Sequence, residues 1–169
     1  MNAIVHFGFI DTPLGRLRLT AVSEGLTGIG FDGDRYAPPL DPAWVHDPAY
    51  PAVRRAAAQL TAYFALERRS FDLPLAPAGT AFQREIWKAI AAVPAGATIS
   101  YAELARRAGH PGSARAAGAA TGRNPLAIVV PCHRIIGADG SLTGYAGGLE
   151  RKRALLELEQ RSARLRSAA

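Results

Sequence analysis

The sequence predicts an α+β protein with strands and one helix in residues 1–78 and a helix-turn-helix half in residues 79–169. Three observations predict it. Apolar residues alternate with polar ones early in the chain, then switch near Ala52 to a helical period. Two helix-start signatures, Thr80 with Gln83 and Ser100 with Glu103, open the second half. Charge divides along the same line. Residues 1–78 hold 7 arginines against 8 acidic residues, and residues 79–169 hold 13 lysines and arginines against 6.

The first half is expected to begin with a strand over Ile4–Ile10. Asp11–Gly15 supplies a turn, and Leu17, Leu19 and Ala21 then alternate with Arg16, Arg18 and Thr20. A third strand over Leu26–Phe31 stops at Asp32-Gly33-Asp34. Residues 35–51 contain five prolines and read as a long loop. Val53, Ala57, Leu60 and Phe64 share one face of an amphipathic helix. Phe71, Leu73 and Leu75 suggest a last strand, and residues 76–79 a linker. Nothing in this half carries an evident reactive group, so its expected role is support.

In the second half Phe82, Ile86, Ile90 and Val93 line one face of a helix capped by Thr80. Ser100 starts a short helix through Arg107. Gly109-His110-Pro111-Gly112 breaks it, and Ser113 starts another to about Gly122. Two short helices joined by a glycine-containing turn suggest a helix-turn-helix. The second of them reads SARAAGAATGR. It lacks the long polar side chains that read bases in the major groove. Its smooth surface suits close, sequence-independent contact with DNA through Ser113, Ala114, Arg115, Gly118, Thr121 and Arg123. Arg115, alone on that surface, could fill the gap left by a displaced base. A basic half with net charge +7 fits a polyanionic partner. The last helix is expected over Leu149–Arg161. Lys152, Leu155, Leu156 and Glu159 fall on one face of it. A carboxylate drawn inward needs a partner, and His133 is the one expected.

The only cysteine, Cys132, lies in NPLAIVVPCHR, residues 124–134. It follows five apolar residues and precedes His133 and Arg134, at the expected end of a buried strand. A neighbouring base or cation favours the thiolate, which is the nucleophilic form. An inert buried thiol beside a histidine reads equally well from these residues alone. One cysteine excludes an internal disulfide and a multi-cysteine zinc site. His6, His46, His110 and His133 lack metal-ligand spacing. No apolar run reaches membrane-span length and the first residues lack a signal-peptide pattern, so a cytoplasmic protein is expected.

These residues carry a resemblance. The chain resembles the O6-alkylguanine-DNA alkyltransferases of the compact bacterial type over nearly its whole length, most strongly from Thr80 to Glu159. Pro131-Cys132-His133-Arg134 after Asn124-Pro125 matches the family's active-site strand. Tyr101, Arg115, Asn124, Cys132 and Glu159 fall in the family's register. The resemblance implies a ribonuclease-H-like N-terminal domain, residues 1–78, and a winged helix-turn-helix domain, residues 79–169. It implies that Cys132 is the alkyl acceptor and that His133, through a water, and Glu159 form a proton relay. It makes Asn124 the brace of the active-site turn, Tyr101 the assistant to the leaving base and Arg115 the intercalating finger. Tyr145, Gly147, Gly148 and Lys152 would border the base pocket. The partner would be double-stranded DNA bearing O6-alkylguanine, with O4-alkylthymine as a second lesion and no obligatory protein partner.

The chemistry agrees with the residues. Sulfur attack on an alkyl carbon gives a thioether, which offers water no carbonyl to attack, so each molecule should act once. Neither a cofactor nor a metal is required. Guanine leaves more easily when protonated, which gives a donor such as Tyr101 a use. Ala146 stands where some members of the family have serine, which removes any hydroxyl contact there. The four-cysteine sensing domain of larger relatives is absent, so transcriptional activation is not expected. Two other readings compete with alkyl transfer: a helix-turn-helix regulator or lesion sensor without chemistry, and a cysteine hydrolase using Cys132 and His133.

Overall fold

A computed structural model describes residues 3–169. Three strands, β1 (His6–Thr12), β2 (Gly15–Val22) and β3 (Gly25–Phe31), form an antiparallel meander. Leu17, Leu19, Ala21, Ile29 and Phe31 send their side chains to the buried face of the sheet. Against that face lies α1 (Pro51–Phe64), which packs with Val53, Ala56, Leu60 and Tyr63. Proline at its first turn costs nothing, because the missing N–H has no partner within the helix there. The 35–51 loop contains one element the sequence did not signal. The two-residue strand β4 (Val45–His46) pairs parallel to β1 and completes the sheet order β3-β2-β1-β4.

The strand expected over Phe71–Leu75 does not form. Only one bridge joins this segment to the sheet, between Leu26 and Leu75. Leu26 N donates to Pro74 O at 2.9 Å, and Ala76 N donates to Leu26 O at 2.7 Å. Pro74 has no N–H with which to extend a ladder.

The second half is α2 (Ala81–Ala91), β5 (Ile99–Ser100), α3 (Tyr101–Arg107), α4 (Ala114–Gly122), β6 (Ile135–Ile136) and α5 (Leu149–Ser167). Thr80 and Gln83 form the full reciprocal cap on α2. Ser100 caps α3, accepting from Glu103 N. The Glu103 side chain does not return that bond. It pairs instead with Arg106 and Arg107, each at 2.7 Å, which hold its carboxyl at about 2. Ser113 occupies the cap position of α4 without a side-chain bond. A turn through Gly109 and Gly112, both at positive φ, joins α3 to α4 as a helix-turn-helix. The short parallel ladder β5–β6 ties this unit to the segment carrying Cys132. α5 runs six residues past the expected end.

The halves share one core. Ile29 N donates to Pro125 O at 2.8 Å and Ala127 N to Ile29 O at 3.0 Å, so the β3 edge is closed by the active-site segment itself. No helix among the described residues is long and apolar enough to cross a membrane.

Candidate active site

The segment before Cys132 is not a strand. Residues 126–130 fold into a tight turn in which Val130 N donates to Leu126 O at 2.9 Å. Ile128 adopts φ 72°, a left-handed conformation that strains a β-branched residue. Asn124 holds the turn closed. Its Nδ2 donates to Val130 O at 2.7 Å, and its Oδ1 accepts from Leu126 N at 3.0 Å. Cys132–Arg134 then form one 3-10 turn. The alternation expected of an extended chain is therefore lost, and Cys132 faces a cavity while His133 and Arg134 point into the protein.

That cavity has a volume of about 130 Å³. Its wall includes Cys132, Tyr101, Gly118, Thr121, Asn124 and Tyr145. Cys132 is 8% exposed. Burial pushes its thiol up, while a hydrogen bond from Asn124 and the charge of Lys152 pull it down without prevailing. The resting group is thus a neutral thiol, not the thiolate that the neighbouring His133 and Arg134 suggest. A base must take its proton when it reacts.

Behind Cys132 is a fully buried ionic cluster. Glu159 Oε1 lies 2.7 Å from His133 Nε2 and also accepts from Arg134 and the Tyr63 hydroxyl, at 2.7 and 2.8 Å. Its Oε2 accepts from Arg134 Nε at 3.0 Å, and Arg134 also donates to Val93 O at 2.5 Å. Burial alone would raise the Glu159 pKa, but His133 and Arg134 hold it well below the carboxylate range. An ionised carboxylate only accepts, so His133 carries its proton on Nε2 and leaves Nδ1 as a basic lone pair. Nδ1 is buried and has no protein partner. Burial also holds His133 below its ordinary pKa despite Glu159, so the ring is neutral at rest. Arg134, which already balances the carboxylate, explains why Glu159 does not charge it.

Tyr101, on the cavity wall, is backed by Lys152. Tyr101 donates to Thr143 O at 2.9 Å, and its pKa is raised by burial, so the hydroxyl keeps its proton. Lys152 is fully buried, and its three protons reach Ile135 O, Thr143 O and Gly144 O at 2.6, 3.0 and 3.3 Å. Burial lowers its pKa to about 8. Lys152 therefore stands behind Tyr101, 6.0 Å from its ring centre, and off the cavity wall where it was expected. Gly148 caps α5 at φ 92° and is also off the wall. Tyr145 and Gly147 are on it.

Residues of α4 divide between two surfaces. Arg115 is exposed, as is Arg123 at the C-cap, and Ser113 and Ala114 are half-buried at the helix start. Gly118 and Thr121 face the cavity. A Cβ at Gly118 would touch the Tyr101 ring at 3.6 Å, and the Thr121 hydroxyl is bonded to Ala117 O at 2.7 Å.

The expectation that residues 1–78 only support the site is corrected. Asp34, Arg35 and Tyr36 form part of the cavity wall, and Arg35 N donates to Ala146 O at 3.1 Å. Tyr63 from α1 completes the Glu159 cluster. Nothing local marks these residues. Arg134 did have a signal, since a buried carboxylate, 25 residues away at Glu159, needs a cation as well as a histidine.

Residues 81–161 match the family described as "6-O-methylguanine DNA methyltransferase, DNA binding domain", and residues 5–77 match its "ribonuclease-like domain". A methylated-DNA–protein-cysteine methyltransferase of Mycobacterium bovis is 49% identical over 93% of each chain. One of Methanosarcina acetivorans is 44% identical over 92% of this chain and 98% of its own. The crystal structure of Mycobacterium tuberculosis OGT in complex with DNA superimposes with a TM-score of 0.86. It is 48% identical and covers 93% of this chain and 94% of that one.

Proposed function

The chain belongs to the methylated-DNA–protein-cysteine methyltransferase family, and from that premise we propose that it repairs O6-alkylguanine in double-stranded DNA by direct, single-turnover transfer of the alkyl group to Cys132. The observation that carries this reading is one cavity lined by the only cysteine and backed by a neutral histidine with a free, buried Nδ1.

The thiol proton passes through a bridging water to His133 Nδ1, and Glu159 stabilises the imidazolium as it forms. The Cys132 Sγ attacks the alkyl carbon. A C–S bond forms, the C–O6 bond breaks, and its electron pair stays on guanine. Tyr101 supplies a proton to the departing base, and Thr143 O steadies its hydroxyl. The product thioether does not hydrolyse, so the protein is consumed. Residues 79–169 bind the duplex through the exposed face of α4, and Arg115 fills the stack where the base has left. Residues 1–78 close the cavity from the other side. O4-alkylthymine fits the same chemistry, and the protein works in the cytoplasm with no obligatory protein partner.

Incubation with DNA labelled on the O6-alkyl group, followed by mass measurement, tests this. Each molecule should gain one alkyl group on Cys132, and Cys132→Ser should bind DNA and gain none. Turnover beyond one equivalent, or no gain in mass, would refute the proposal and favour a hydrolase or a regulator respectively.

A further inference from the structure

We infer that the outer face of the N-terminal sheet carries a second nucleic-acid site, which takes a base from an unpaired DNA strand. A cleft of about 280 Å³ lies there, adjoining the Cys132 cavity, with which it shares Asp34, Tyr36, Asn124 and Ala146. Its floor is Gly28 and Gly30, alternate residues of β3 that pair with Thr20 and Arg18 of β2. The glycines add no side chain of their own, and the floor is instead polar: a Cβ at Gly28 would lie 2.7 Å from the Thr20 hydroxyl and one at Gly30 3.1 Å from the Asp34 carboxylate. Tyr36 and Trp44 contribute to the walls, each beside a guanidinium. Arg123 lies 4.2 Å from the Tyr36 ring centre, and Arg18 lies 5.5 Å from that of Trp44. Arg18 also donates to Pro38 O, which fixes the strap that forms the rim. Neither arginine pairs with a carboxylate among the described residues.

A flat polar floor, aromatic walls and arginines free of carboxylate partners suit a flat heterocycle with a phosphate attached, its amino group toward Asp34 and Thr20 and its phosphate toward the arginines. Arg123 is also the C-cap of α4, so the cleft begins where the proposed duplex-binding surface ends. The site rests on the reading of α4 as the DNA-facing helix. The lesion enters the cavity at Cys132, and the cleft takes a neighbouring nucleotide that has no partner strand.

Binding of a dye-labelled blunt duplex is compared with that of the same duplex carrying an overhang of about six nucleotides. The wild type should favour the overhang by about ten-fold, the size of one stacked base. Trp44 emission, isolated by difference from Trp44→Phe, should be quenched only by the overhang. Trp44→Ala should abolish the preference while alkyl transfer from the blunt duplex continues at the wild-type rate, since Trp44 lines the cleft and not the Cys132 cavity. Trp44→Leu, which keeps apolar bulk in the wall but removes the stacking ring, decides the matter if Trp44→Ala does not fold. Equal wild-type affinity for both DNAs, or a preference retained by a folded Trp44 variant, would overturn the site. Loss of alkyl transfer in the wild type would instead strike at the proposed function.

Discussion

Replacing Glu159 with glutamine tests the ionic cluster and the proton relay together. Glu159 is 1% exposed and accepts from His133, Arg134 and Tyr63. The amide removes the charge and leaves the Arg134 guanidinium, itself 5% exposed, without an anion. Breaking a buried pair by removing one partner costs about 3–5 kcal/mol. For a chain of this size that lowers the melting temperature by about 10 °C. The pH dependence has a definite sign. Glu159 is held below its ordinary value of 4.5, so its stabilisation is complete above about pH 4.5 and is lost as pH falls through the depressed value. The stability gap between wild type and Glu159→Gln should therefore be widest at neutral pH and shrink in acid. Alkyl transfer should slow by about 10²-fold at neutral pH, because the His133 tautomer is no longer fixed, and partly recover at higher pH where the thiol ionises unaided. Denaturant unfolding from about pH 3 to 8 and single-turnover rates from about pH 6 to 10 provide the assay. The double variant Arg134→Met/Glu159→Gln should recover part of the lost stability, since neither charge is then buried alone. A stability loss below about 1 kcal/mol, or a wild-type rate at neutral pH, would refute the reasoning.

Three further outcomes follow from other parts of the molecule. Lys152→Met takes the donor from the buried Ile135 carbonyl and should cost about 1–3 kcal/mol, with a raised Cys132 pKa read by thiol alkylation against pH. Because Lys152 is held at about 8 against an ordinary 10.5, the wild type binds fewer protons folded than unfolded in that window. Its stability should gain a rising contribution from pH 8 to 10.5 that Lys152→Met lacks. Arg115→Ala should slow repair of duplex DNA far more than reaction with free O6-alkylguanine, since only the duplex requires a base to leave the stack; equal slowing in single-turnover assays would remove the finger role. Gly79→Ala places a Cβ 2.5 Å from Trp87 Cη2 and should cost about 1–3 kcal/mol by thermal melt, with alkyl transfer kept in the folded fraction.

The sequence by itself determined the elements whose signals are local. Alternation in Leu17, Leu19 and Ala21 and the 3.6-residue spacing in α1 and α2 mark one-sided burial, which a one-dimensional pattern records directly. Thr80 and Gln83 predicted a cap whose two bonds span three residues. The alkyl-acceptor motif was legible because Cys132, His133 and Asn124 lie within ten residues, and the helical face shared by Lys152 and Glu159 pointed both inward. Tertiary structure decided the rest. The apolar run before Cys132 reads as a strand, yet Asn124 and Ile128 bend it into a turn, because its hydrogen bonds are closed by a side chain and not by a neighbouring strand. Phe71–Leu75 alternates as a strand should, but Pro74 cannot extend a ladder. Residues 34–36 and Tyr63 reach the site across the domain boundary, and the charge state of Cys132 and His133 is set by burial beside Arg134 and Lys152. Such effects depend on which surfaces meet in space, and residues 96 positions apart, like Tyr63 and Glu159, leave no periodicity to read.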